Sequence, residues 1–154
     1  MIKIKDITRY LESIAPLDLQ ESYDNAGLLV GAPETIVNNV LITLDVTETV
    51  VQEAVDKGCN LIIAHHPIVF KGLKKLNGRS YVERVIIEAI KNDIALYAIH
   101  TNLDNVHMGV NKMIADKIGL TNTTILLPKR TTLMKLVTFV PSDTTDGVLD
   151  ALNQ

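Results

Sequence analysis

Residues 61–70, LIIAHHPIVF, set a continuous apolar run directly before two adjacent histidines and a proline. Leu61, Ile62, Ile63 and Ala64 do not alternate with polar residues, so a strand here has both faces buried, as in a parallel strand covered by helices on each side. That requirement constrains the rest of the chain, which must supply partner strands and helices with apolar stripes. NVLITLD is a β-branched run ending on Asp45, and VTETVVQEAVDKG follows it with Val50, Val51, Ala54 and Val55 as a stripe and Gly58 as the stop. After the histidines, Ser80 and Glu83 form a capping box that opens the helix YVERVIIEAIKND. A strand IALYAIH and a helix GVNKMIADKIG closed by Gly119 come next. An N-terminal helix is expected from Ile7, Tyr10, Leu11 and Ile14 on one face, with Pro16 stopping it. The order βαβαβα predicts an α/β protein with a mostly parallel sheet.

Composition removes several function classes. With 47% hydrophobic and 21% charged residues the chain is globular, and a net charge of −3 with a pI near 5.8 gives no general footprint for nucleic acid. No apolar run approaches the roughly 20 residues that span a bilayer, and the N-terminus lacks a signal-peptide core, so a cytoplasmic protein without membrane partners is expected. Cys59 is the single cysteine, which excludes an internal disulfide framework and a Cys-rich zinc site and reads as a small buried hydrophobe.

In open parallel sheets ligands collect beyond the carboxyl ends of the strands. Three successive strands here end in polar groups: Asp45, then His65 and His66, then His100 with Asp104 beyond it. They are expected to point at one place and to form a metal site. In extended backbone, neighbouring side chains point to opposite sides, so His65 and His66 are expected to serve different ions rather than clamp one. Two ions about 3.5–4 Å apart would use both imidazoles and create a nucleophilic water at neutral pH. Imidazole with carboxylate suits zinc, iron, manganese, cobalt or nickel and does not choose among them.

Other stretches are less specific. GLLVG is neither a dinucleotide fingerprint nor a Walker loop and reads as a tight turn with close packing, although Asn25 and Gly27 beside it are candidates for approaching the site. Lys71, Lys74, Lys75 and Arg79 read as a solvated loop, with phosphate binding as the alternative. His107 reads as a loop residue, and no nucleophile elbow G-x-S-x-G is present.

ESYDNAGLLVG, DVTETVVQEAVDKGCNLIIAHHPIVFKGLKKL and YAIHTNLDNVHMGVNKMIADKIGL resemble the Nif-three-like dinuclear metal-centre proteins, the type-2 GTP cyclohydrolase I homologues. The resemblance covers nearly the whole chain and is most specific at HHP and HTNLD. It implies a three-layer α/β/α fold, two divalent transition-metal ions with ligands matching His65, His66 and Asp104, His100 beside them, and a homohexameric ring. Family members close the site with a later His and Glu, whereas no His follows His107 here. The last segment, KLVTFVPSDTTDGVLDALNQ, resembles the start of an inserted domain, as a strand and then a helix running to Gln154. Residues 1–130 are therefore expected to be the N-terminal half of the metal-binding domain, and 131–154 the cut start of the insertion.

The function this implies is metal-dependent hydrolysis, in which a metal-activated hydroxide attacks a nucleotide-like or cyclic amide small molecule and His100 transfers the proton. The alternative is a metal-carrying scaffold or regulatory interaction protein.

Overall fold

The computed structural model describes residues 1–128 and 137–152. Helix α1 (Ile4–Ile14) is followed by a 3-10 turn (Leu17–Leu19), β1 (Gly27–Val30), β2 (Val40–Thr43), α2 (Glu48–Asp56), β3 (Leu61–Ala64), α3 (Tyr81–Lys91) and β4 (Ala95–Ala98). A single-turn α4 (Thr101–Asp104), α5 (Val110–Lys117), a 3-10 turn (Ser142–Thr144) and α6 (Thr145–Leu152) complete the order.

The sheet runs β1-β4-β3-β2. β2, β3 and β4 are the parallel core that the alternation predicts, and their registers are level: Thr43 pairs with Ala64, and Ala64 with Ala98. Asp45, His65 and His100 therefore leave the sheet side by side. The sheet as a whole is mixed, because GLLV is an edge strand, antiparallel to β4, rather than a turn. Its short apolar run lies between two glycines of positive φ, Gly27 and Gly31, so nothing local distinguishes it from a turn. The close packing read there is present, since a Cβ on Gly31 would lie 2.6 Å from the Ala95 Cβ.

β3 and β4 are buried along their whole length. Their side chains alternate between two cores. Leu61, Ile63, Ala95 and Tyr97 meet Ile4, Ile7 and Leu11 of α1, while Ile62, Ala64 and Leu96 meet Val51 and Ala54 of α2 and Val85 and Ala89 of α3. The α1 stripe is rotated from the expected one. Ile4 and Thr8 are buried, whereas Tyr10 is 66% and Ile14 45% exposed. The helix begins a turn earlier than the sequence suggests, because Asp6 accepts from the Lys3 N–H at 2.9 Å and caps it. Val55 of α2 also lies outside the buried stripe, at 38% exposure. Ser80 caps α3 as expected, its hydroxyl accepting from the Glu83 N–H at 3.3 Å, and Cys59 is buried. Helix α5 buries no residue, and Met113, Ile114 and Ile118 are exposed.

The strand expected in the last segment falls partly outside the described residues, and residues 137–140 form no strand. Its helix is present as α6, while its end at Gln154 lies outside them. Among the described residues no helix is long and apolar enough to cross a membrane.

Candidate metal centre

β3 ends at Ala64, and the chain then bends, with the His65 N–H donating to the Thr43 carbonyl at 3.2 Å and the His66 N–H to the Leu44 carbonyl at 3.0 Å. The alternation expected of extended backbone therefore stops one residue before it would separate the histidines. Their rings lie 5.0 Å apart, and His100 stands 5.2 Å from His65 and 5.5 Å from His66. One ring nitrogen from each of the three lies within 4.8 Å of the other two. Metal–imidazole bonds of about 2.0–2.1 Å put ring nitrogens roughly 3.3–3.4 Å apart around one tetrahedral ion, so side-chain rotations that draw the nitrogens together by up to about 1.5 Å close this set on an ion.

The hydrogen bonds fix which nitrogen is free. His65 Nδ1 stands 2.9 Å from the Ile99 carbonyl, His66 Nδ1 2.7 Å from Asp45 Oδ1, and His100 Nδ1 2.8 Å from Asp24 Oδ1. A carbonyl and a carboxylate only accept, so each Nδ1 carries the proton and donates it. Each Nε2 lone pair is left for a metal or a proton, in the arrangement by which outer partners orient metal-binding imidazoles. This donor set fits a first-row transition metal.

Asp104 is the fourth candidate donor, its Oδ1 3.8 Å from His65 Nε2. The turn that carries it is tightly tied. Asn102 is fully buried and donates to the Ala15 carbonyl at 2.7 Å, and its Oδ1 accepts the His100 N–H at 2.9 Å. Beyond α4 the chain folds back so closely that a Cβ on Gly109 would lie 2.1 Å from the Leu103 carbonyl oxygen. Asp45 reaches the site only through His66. Accordingly, Asp104→Asn is expected to weaken zinc binding by more than about 100-fold, and Asp45→Asn by about 10–100-fold, the range for an outer partner. Calorimetric titration checks this, and equal losses would make Asp45 a ligand or an equally essential partner.

Sequence reasoning missed Asp24. Its side chain is wholly buried and accepts from His100 Nδ1, the Thr101 N–H at 3.0 Å, the Thr101 hydroxyl and the Asn25 N–H at 2.7 Å. Burial pushes its ionisation upward, and the hydrogen bonds from Thr101, His100 and the backbone outweigh this and hold it below the ordinary carboxylate value. The signal that finds it is the antiparallel pairing of β1: with Gly27 opposite Ala98, residues just before Gly27 must meet those just after Ala98.

Of the remaining candidates, Asn25 Nδ2 donates to the Val69 carbonyl at 2.6 Å and joins two loops at the site, while a Cβ on Gly27 would lie 3.6 Å from Leu17 Cδ1. His107 lines, with Asp104, a cavity of 1160 Å³. Lys71, Lys74, Lys75 and Arg79 lie exposed and make no ion pair among the described residues.

Fold and site together define an α/β protein with a convergent imidazole cluster at the carboxyl edge of its parallel strands. The Duf34/NIF3 (NGG1p interacting factor 3) family model matches residues 2–154, and the chain belongs to that family. It is 39% identical over 153 residues to a Staphylococcus epidermidis protein named GTP cyclohydrolase 1 type 2 homolog, covering 99% of this chain and 42% of that one. A Halalkalibacterium halodurans protein of the same name is 42% identical over 149 residues, covering 96% and 40%. The chain thus spans about two fifths of the curated relatives it matches. Among solved structures, a Bacillus cereus protein related to NIF3 superposes with a TM-score of 0.77 at 44% identity, over 83% of this chain and 35% of that one. Reduced HcgD from Methanocaldococcus jannaschii gives 0.73 at 32% identity, over 79% and 48%.

Proposed function

We propose that this chain supplies the histidine side of a dinuclear transition-metal centre that hydrolyses a nucleotide-like or cyclic amide substrate. The observation that carries the reading is the convergence of three imidazoles whose Nδ1–H groups are all engaged, leaving their Nε2 lone pairs for a shared site. The relatives' cyclohydrolase name points to the same chemistry.

His65, His66 and Asp104 would hold the ions. When bound, these supply Lewis acidity and lower the pKa of a water toward about 7. His100 Nε2 would accept a proton from the attacking water and return it to the leaving amine. Asp24 keeps Nδ1 protonated and stabilises the imidazolium that forms between the two transfers. The proposal extends to a three-layer fold and a homohexameric assembly, with residues 1–130 as the N-terminal half of the metal-binding domain and 131–154 as the start of an insertion.

One observation favours a held, non-catalytic ion instead. His100 converges with His65 and His66 as a third imidazole donor, and Asp104 Oδ1 stands 3.8 Å from His65 Nε2, so a closed shell of the kind structural sites have can be drawn from this chain's own residues. The test is GTP turnover by the metal-loaded protein that carries the later His and Glu as well as these residues, expected to vanish on chelation and return with zinc or manganese, whereas the 154 residues alone are expected to bind metal weakly and leave GTP intact. His100→Ala should then keep its metal and lose turnover. Loss of metal in His100→Ala to the same degree as in His65→Ala would sink the proton-transfer role and favour the held ion.

A further inference from the structure

Two aromatic rings at the edge of the imidazole cluster take no part in the chemistry above. Tyr23 is 64% and Phe70 44% exposed, yet their ring centroids lie 6.3 Å apart with planes inclined by 27°. Phe70 also meets His100 edge-on, at 6.0 Å and 77°. The spacing falls in the range of aromatic pairing, about 4.5–7 Å.

The backbone holding these rings is fixed more firmly than exposed side chains require. Tyr23 directly precedes Asp24, whose buried carboxylate is tied to His100 and Thr101. Phe70 directly follows Val69, whose carbonyl accepts from Asn25 Nδ2 at 2.6 Å. The two loops are thus pinned to each other and to the His100 turn, and each presents a ring to solvent. An exposed aromatic pair carried on two pinned loops beside His100 offers a stacking surface, and planar bases stack on such surfaces without regard to their hydrogen-bonding edges.

We propose that Tyr23 and Phe70 form the stacking subsite for the heteroaromatic base of a nucleotide, and seat it against His100. This deepens the hydrolytic reading above and rests on it for the identity of the reacting site, while ring binding itself is measured without turnover. The experiment titrates the protein with guanosine 5′-monophosphate, adenosine 5′-monophosphate and ribose 5-phosphate, following the Tyr23 and Phe70 ring protons by NMR. Both nucleotides should bind with dissociation constants within about threefold of each other and shift both rings. Ribose 5-phosphate should bind at least about tenfold more weakly. Phe70→Leu and Tyr23→Leu, which keep apolar bulk at exposed positions, should each weaken nucleotide binding about tenfold and leave zinc content unchanged. Equal binding of ribose 5-phosphate and the nucleotides, or wild-type affinity in both variants, would overturn the proposal. Zinc content of the wild-type protein, measured in parallel, reports separately on the metal centre, so either reading can fail alone.

Discussion

His65→Ala and His66→Ala are each expected to lower zinc or manganese affinity by more than about 100-fold while leaving the circular dichroism spectrum intact. Both residues lie beyond the end of β3, with side chains 23% and 47% exposed, and neither belongs to a core cluster. His65→Ala gives up one hydrogen bond to the Ile99 carbonyl, a net loss of about 0.5–1.5 kcal/mol. His66→Ala releases only the exposed Asp45 carboxylate to water, a change of about 0.5 kcal/mol or less. Metal affinity, by contrast, loses one of few donors, and even an outer partner is worth about 10–100-fold. Metal stoichiometry and folding should therefore part company in both variants. Wild-type metal content in both would remove the site assignment. Loss of secondary structure in step with metal would show that these residues hold the fold rather than an ion.

The parts of the fold legible in the sequence are those whose burial is written locally. β3 and β4 sit inside the sheet with helices over both faces, so their apolar runs do not alternate, and that alone identifies parallel strands. Because parallel strands in level register end together, the sequence by itself places Asp45, His65 and His100 at one edge. β1 is not legible, because its strand character comes from pairing with β4, far away in sequence, and not from GLLV itself. With β1 hidden, Asp24 is hidden too, since its place beside His100 follows from that pairing. The facing of His65 and His66 fails for a different reason. The two-residue alternation holds only while backbone is extended, and here it ends at Ala64. The α1 stripe fails on a cap, since Asp6 turns the chain into helix before the first residue that the apolar spacing suggests.

The Asp24 carboxylate sets the protonation pattern of His100, and two substitutions separate that role from a purely structural one. Asp24→Ala leaves the Thr101 N–H and hydroxyl, the Asn25 N–H and His100 Nδ1–H without their shared acceptor in a wholly buried place. Each unsatisfied buried donor costs about 1–3 kcal/mol, so a loss of about 3–5 kcal/mol after partial relaxation is expected in denaturant unfolding. Asp24→Asn keeps the shape but replaces one acceptor oxygen by an NH2 group. If the remaining oxygen stays with Thr101, the amide N–H groups face His100 Nδ1, and two donors cannot meet there. The imidazole then moves its proton to Nε2, so Nδ1 accepts from the substituted amide and the lone pair that faced the site is lost. Asp24→Asn should cost about 1–3 kcal/mol, less than Asp24→Ala. The decisive readout is the imidazole nitrogen spectrum of 15N-histidine protein, in which His100 should change from the Nδ1–H to the Nε2–H form while His65 and His66 keep theirs. A purely structural role would lower stability in both variants and leave the His100 tautomer as it was.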